Sequence, residues 1–280
     1  RTGTYFGDLN DQGLPHGKGK FTTTNSEGIE WTYEGEFKNG HFDGDGKTTW
    51  RDGEEIGTYK DDYIVPLKGD EIKTLYTSTE SFKNHYVELV GKVFSIERSD
   101  SGVVALQMFQ DFENSDNNTI VYLTDEKSEI EENDFIRVIG KVDDVFVGTN
   151  AYGAELSAPT IIASEYSILT YIDAAAPTLK TVEVNKTQTQ YGYSVTLQKI
   201  EFSEKETRLY IKIDNNGSDK FSVYEYNIIV SQNGKQYEYQ YNYDADYPEI
   251  QSGLLVGNSS EGIIPFPKLS QDSLTVTIEG

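Results

Sequence analysis

The chain of 280 residues is predicted to be all-β, with three units in series: hairpin repeats, a small five-stranded barrel and a two-sheet sandwich. Three observations predict this. A glycine- and aromatic-rich motif recurs within residues 1–65, five strand-like runs occupy residues 78–172, and the remainder breaks into short strands separated by Asn-Gly turns. The expected boundaries are 1–65 for the repeats, 66–77 for a linker, 78–172 for the barrel and 173–280 for the sandwich.

The repeat is the clearest signal. YFGDLNDQGLPHGKG (Tyr5 to Gly19) recurs as YEGEFKNGHFDGDG (Tyr33 to Gly46), and a half copy places Gly57 and Tyr59 where Gly35 and Phe37 stood, 22 residues earlier. A unit this short cannot bury a hydrophobic face alone and must stack on its neighbours. Gly7 and Gly35 lie between inward aromatics, where a side chain would block close backbone approach. Gly17, Gly19, Gly44 and Gly46 are expected to supply the positive φ of hairpin turns. Tyr33, Phe37, Phe42, Trp31 and Trp50 supply the buried rows. The motif resembles the membrane occupation and recognition nexus (MORN) repeat over roughly residues 5–63. Leu9 stands where that family prefers an aromatic, and Thr22–Glu30 lengthens the return of the first copy. The resemblance implies MORN-type β-hairpin repeats that contact proteins or phospholipids, with no catalysis. The net negative charge of this stretch disfavours anionic headgroups as its main target.

From Ser78 the pattern changes. Thr77-x-x-Glu80 predicts a capping box ahead of a short helix over Ser81–His85. Strand-like runs follow at Val87–Ile96, Gly102–Phe109, Thr119–Leu123, Phe135–Val142 and Pro159–Leu169, with a short acidic helix expected over Asp125–Glu132. Five strands with a helix after the third outline an OB-fold barrel. VELVGKVFSIE and ENDFIRVIGKVDDV resemble the exported, tRNA-anticodon-domain-like OB family over roughly residues 78–172. Its name suggests nucleic acid, and the charges oppose that. A single-strand groove needs cations beside its stacking aromatics, whereas this stretch holds 6 basic residues against 17 acidic ones.

In the last third, Ala174-Ala175-Ala176-Pro177 marks a joint. Strands are predicted at Thr181–Val184, Tyr193–Phe202, Thr207–Asn215, Val223–Ser231, Gln236–Tyr243 and Leu274–Ile278, with turns at Asn215-Asn216-Gly217 and Asn233-Gly234. About seven short strands in a hundred residues indicate an immunoglobulin-like β-sandwich. The order of segments resembles immunoglobulin-like domains appended to exported bacterial lipoproteins, over residues 178–280. Tyr237, Tyr239, Tyr241 and Tyr243 alternate with polar residues, so a strand would place all four on one face. Such a row either binds a peptide or glycan or faces the sandwich core.

Composition narrows the function. Acidic residues outnumber basic ones 47 to 24, a formal charge of −23, and the three parts divided at 77/78 and 172/173 are each net acidic. Affinity for nucleic acid comes from Lys and Arg neutralising phosphates, so no nucleic-acid partner is expected. The absence of cysteine removes thiol chemistry and Cys-held metals. It also suits an exported protein. The chain starts at Arg1, and a removed signal peptide or lipid anchor is expected ahead of it; the only membrane contact expected is through that anchor.

No catalytic residue emerges. His16, His41 and His85 form no HExxH pair, and no G-x-S-x-G elbow occurs. GDGKTT (Gly44 to Thr49) mimics a phosphate loop, but His41 stands where its first glycine should be. Asp43-x-Asp45 with Glu54 mimics the ends of an EF-hand loop, but Lys47 and Thr48 stand where an oxygen ligand and the glycine should be. Asp214-Asn215-Asn216-Gly217 has the wrong spacing and reads as a turn, and the pair Asp244 and Asp246 leaves a loose calcium site as an open alternative. No cofactor and no metal are expected. The expected function is a non-catalytic, extracytoplasmic interaction protein of the cell envelope, with a protein or envelope component as partner. The alternative is a small-molecule or glycan-binding module using Tyr33, Phe37 and Trp50, or Tyr237, Tyr239, Tyr241 and Tyr243. A divergent enzyme ranks third.

Overall fold

The computed structural model describes residues 2–100, 102–125, 128–149, 153 and 155–278. The chain is all-β apart from one short α-helix and three 3₁₀ turns among the described residues. It divides into two compact units, Arg1–Ile168 and Leu169–Gly280.

The first unit opens with a six-stranded meander: β1 (Thr4–Leu9), β2 (Pro15–Thr24), β3 (Glu30–Lys38), β4 (His41–Trp50), β5 (Gly53–Lys60) and β6 (Tyr63–Val65). Its turns follow from side-chain chemistry. Asn10 accepts backbone N–H groups from Gln12 and Leu14, and Asn25 does the same for Glu27 and Ile29. Asn39-Gly40, with φ of 51° and 92°, turns tightly between β3 and β4 as a two-residue hairpin of the kind that needs both residues left-handed. Of the four glycines expected to carry the positive φ of hairpin turns, Gly17 (72°) and Gly44 (114°) have positive φ, but within β2 and β4 rather than in turns. Gly19 and Gly46 also sit mid-strand, without positive φ, and there what matters is the missing Cβ.

A five-stranded closed barrel follows: β7 (Tyr86–Arg98), β8 (Val104–Asp111), β9 (Asp116–Leu123), β10 (Phe135–Thr149) and β11 (Glu155–Leu169). Its strands run β7-β8-β9-β11-β10 and back to β7, with β9 and β11 parallel. That is the OB-fold arrangement. Val87, Leu89, Leu106, Met108, Val121, Val138 and Ile161 fill the interior. Residues 66–85 also feed this core, through Ile72, Leu75 and Phe82.

Neither expected helix is seen among the described residues. Residues 79–82 form only a 3₁₀ turn: the Thr77 hydroxyl meant to cap a helix bonds back to the Thr74 carbonyl, and that of Ser81, the expected first helical residue, bonds back to the Ser78 carbonyl. The described residues of the stretch 125–132 are irregular, and Glu126 and Lys127 lie outside the described residues. Here the Arg98 guanidinium takes the carbonyls of Ser128 and Ile130, at 3.2 and 2.8 Å, and Ile130 is fully buried in the barrel core. Carbonyls bound to a guanidinium are not free to build a helical ladder.

The second unit begins with α1 (Tyr171–Ala175), whose first turn is capped by the Thr170 hydroxyl accepting the Asp173 N–H. Seven strands then form a sandwich. One sheet orders β12 (Lys180–Gln190), β13 (Tyr193–Phe202), β14 (Glu206–Asn215) and β17 (Ser259–Pro267); the other orders β16 (Lys235–Tyr237), β15 (Ile228–Gln232) and β18 (Thr275–Ile278). The architecture is that of an immunoglobulin-like sandwich, with Leu209, Ile211, Ile228, Val230, Ile264 and Phe266 between the sheets. β17 was not predicted. Its Pro265 and Pro267 argue against a strand, yet β17 pairs only with β14 in its sheet, and an edge tolerates a missing N–H.

Candidate functional site

The repeats are built on a row of glycines. Gly7, Gly19, Gly35, Gly46 and Gly57 stand directly opposite one another across β1 to β5. Tyrosine rings lie on this row: a Cβ on Gly19 would stand 2.5 Å from the Tyr5 ring, and one on Gly35 would stand 2.6 Å from the Tyr33 hydroxyl. Both hydroxyls then bond the carbonyl three residues ahead, Tyr5 to Asp8 (2.8 Å) and Tyr33 to Glu36 (3.0 Å). The third copy has Glu55 at the tyrosine position, and no ring lies on Gly57.

Two of the predicted ligand-contacting residues therefore belong to the core. Tyr33 and Phe37 are buried, with Tyr33 stacked on Phe42 (3.8 Å between centroids) and edge-on to Phe37 and Tyr59. Burial pushes the Tyr33 and Tyr59 hydroxyls upward from the usual tyrosine range. Neither Tyr33 nor Phe37 presents a surface to a ligand, because the stacking that makes the repeat stable consumes their faces.

Trp50 lies elsewhere. It pairs across the strands with Trp31, whose ring packs edge-on to Phe21 and Phe42 on the core face, and both residues border an open groove of about 610 Å³ with Thr32, Thr49, Glu30 and the 28–29 turn. The ammonium of Lys141, from β10 of the barrel, sits 5.6 Å from the Trp50 ring centroid. The charges beside the groove are paired: Lys20 with Glu34 (3.7 Å), Lys47 with Glu54 (3.2 Å) and Arg51 with Asp52 (3.3 Å).

The predicted tyrosine row is split. β16 ends at Tyr237, and the chain then crosses to the edge of the other sheet, where the Gln240 N–H donates to the Pro265 carbonyl at 2.8 Å. Tyr237 and Tyr239 pack on the sandwich core, while Tyr241 and Tyr243 are exposed, ring to ring at 4.7 Å. Tyr224 and Tyr226 form a second exposed pair, stacked at 5.2 Å, and Tyr191 is exposed at the β12–β13 turn. Sequence reasoning missed these last three because isolated tyrosines in loops carry no period.

Comparison with known proteins bears on the first of these regions: the MORN repeat family model matches residues 11–27 and 33–55. The N-terminal sheet carries MORN repeats. No curated protein and no solved structure matches the chain. The MORN sheet thus combines a ring-on-glycine core with a groove at the Trp31–Trp50 end of its β3–β4 hairpin.

The sandwich holds one feature that the sequence did not reveal. Arg208 on β14 is fully buried, donating to the Ala176 carbonyl (2.8 Å), Thr178 (2.7 Å), Glu206 (3.1 Å) and Glu201 (3.3 Å). Tyr247 and Asn242 close on Glu206, while Tyr210 and Lys199 close on Glu201. Burial alone would raise the Glu201 carboxyl, but hydrogen bonds from Lys199, Tyr210 and Thr178 outweigh it and hold the group below its ordinary value. Burial and Glu201 together push Tyr210 up to about 12. Every polar arm except the Arg208 Nε is spent on a protein partner, so the cluster fastens residues 176–178 and 242–247 to the sheet and leaves no atom for a substrate. Among the described residues, no group of three or more His, Asp or Glu side chains could hold a metal ion. Nor is any described helix long and apolar enough to cross a membrane.

Proposed function

We propose that the chain is a non-catalytic, extracytoplasmic interaction protein of the bacterial cell envelope. Its contact surface is the set of exposed loop tyrosines on the sandwich, and its partner is a protein or another envelope component. The observation that carries this reading is the exposure of five tyrosines in one unit: Tyr191 (85%), Tyr224 (41%), Tyr226 (62%), Tyr241 (53%) and Tyr243 (91%). Tyrosine gives large contact area and a hydrogen-bonding tip while ordering only two torsions, which makes it a preferred residue of recognition loops. Water-exposed aromatic rings in such number serve folding poorly, since none of the five belongs to the sandwich core or packs against it.

Charge supports the same reading and narrows the partner. At a formal charge of −23 the chain repels polyanions, so a neutral or basic protein surface suits it better than nucleic acid or an anionic bilayer. The lack of cysteine supports placement outside the cytoplasm. Capture from an envelope fraction, using the full chain and a Tyr224→Ser/Tyr226→Ser/Tyr241→Ser/Tyr243→Ser variant, tests the proposal. A partner retained by the unchanged chain and lost by the variant is the expected result. Equal recovery by both, or none by either, would refute it.

A further inference from the structure

We infer that the sandwich loop of residues 238–249 binds a basic peptide segment of a partner protein, seating its Lys or Arg side chains against Tyr241 and Tyr243. The loop is one part of the contact surface proposed above, so the inference rests on that reading and adds the chemistry of the partner. Tyr241 and Tyr243 meet at 4.7 Å with 63° between their planes, so neither ring covers the other's face, and Tyr243 is 91% exposed. Tyr224 and Tyr226 differ: they lie nearly parallel, at 10°, and each spends a face on the other. An open tyrosine face attracts an ammonium or a guanidinium.

The charges around these rings have one sign. Residues 237–250 include Glu238, Asp244, Asp246 and Glu249 and no Lys or Arg. Glu238, Asp246 and Glu249 are exposed and make no ion pair among the described residues. Glu249 accepts the Tyr241 hydroxyl at 3.3 Å. Its carboxylate pushes that hydroxyl up from the usual tyrosine range, and Asp246 adds to the push, so both negative charges stand close to the ring. An exposed ring beside two unpaired carboxylates attracts a cation and repels an anion.

The loop is also fixed in place, although residues 238–250 form neither strand nor helix. Tyr239 packs on the core, and the Gln240 N–H donates to the Pro265 carbonyl at 2.8 Å. Asn242 and Tyr247 both donate to the buried Glu206 carboxylate, which Arg208 holds from the other side at 3.1 Å. The Ile263 N–H then takes the Pro248 carbonyl at 2.9 Å. Tyr241, Tyr243 and Asp246 fall between these pins, so a ligand does not have to order them. Exposed charge pairs are individually weak, and a single cation would be held poorly. A segment carrying several cations gains from each in turn, which is why the partner is a basic peptide.

The test titrates the full chain into fluorescein-labelled nonalysine, nona-arginine and a Gly-Ser peptide of equal length, followed by anisotropy at about 0.15 M ionic strength. Saturable binding of the basic peptides and none of the Gly-Ser peptide is expected. Tyr241→Ser/Tyr243→Ser leaves the charge unchanged and should weaken binding at least about fivefold, as should Asp246→Asn/Glu249→Gln. Asp11→Asn/Glu27→Gln removes the same two charges from turns of the MORN sheet and should leave binding unchanged, which separates the loop from the general acidity of the chain. All six positions are exposed, and far-ultraviolet circular dichroism checks that each variant folds. No binding of either basic peptide, no loss in the loop variants, or an equal loss in the MORN-sheet variant would each overturn the inference. Excess nonalysine should also release the partner captured from the envelope fraction. A partner lost by the four-tyrosine variant but undisturbed by nonalysine would leave the contact surface standing and overturn its basic partner.

Discussion

The MORN sheet and the sandwich solve the same problem, holding short strands together, with opposite materials. The sheet relies on tyrosine rings laid over four of five glycines in a cross-strand row, Gly7, Gly19, Gly35 and Gly46, where an added Cβ would collide with a ring or with backbone. The sandwich relies on a mainly aliphatic layer, with Phe202 and Phe266, between two sheets and, on the outer side of one of them, on a buried arginine shared by two glutamates. The difference shows where sequence speaks clearly. A steric rule repeats with the repeat and can be read; a charge network assembled from residues 176, 201, 208 and 247 has no local signature.

The comparison can be broken from either side. The largest effect is expected from Gly35→Val, whose side chain would start 2.5 Å from the Gly46 Cα and 2.6 Å from both the Asp45 carbonyl and the buried Tyr33 hydroxyl. No flexible neighbour can give way, so a loss of more than about 4 kcal/mol is predicted. It should be seen as collapse of the tryptophan-reported unfolding transition, while the sandwich transition persists in calorimetry. Arg208→Met should do the reverse. It leaves Glu206 buried without a cation and Glu201 with Lys199 alone, and should cost about 3–5 kcal/mol, lowering the sandwich transition alone. If both variants moved both transitions equally, the two units would not be energetically distinct.

Acid provides a milder separation. The Glu201 carboxyl lies below its usual 4.5 in the folded chain. A group with a depressed folded pKa contributes fully above its unfolded value and loses that contribution as pH falls through the folded one. The sandwich should therefore lose stability below about pH 4.5, and Glu201→Gln should flatten that limb in a pH series of thermal melts. The smallest effect is expected for Tyr33→Phe. It keeps the ring on its glycines and loses only the hydrogen bond to the Glu36 carbonyl, about 1 kcal/mol in denaturant titration followed by tryptophan emission.

These contrasts also explain what could be read beforehand. The all-β class, the repeats, the barrel strands and the Asn233-Gly234 hairpin follow from period and turn chemistry, which are local. The helix expected after residue 125 met a tertiary competitor, since Arg98 drew the carbonyls of Ser128 and Ile130, whereas the one expected over 81–85 met local competition from the Thr77 and Ser81 hydroxyls turned back three residues. β17 was hidden by prolines that only an edge position excuses. Of the candidate site residues, the alternation at 237–243 predicted a shared face, and the crossing of the chain to the other sheet divided it. Tyr33 and Phe37 were legible as repeat residues; that stacking would use up their faces was not.

The central claim, that the exposed sandwich tyrosines are the contact surface, is most directly tested by tyrosine-selective chemical footprinting of the full chain with and without an envelope fraction. The account predicts that Tyr191, Tyr224, Tyr226, Tyr241 and Tyr243 react in the free chain, and that at least one pair, Tyr224–Tyr226 or Tyr241–Tyr243, becomes protected when the fraction is added. Buried Tyr33 and Tyr59 should stay unreactive throughout. Equal labelling of all five exposed tyrosines in both conditions would contradict it.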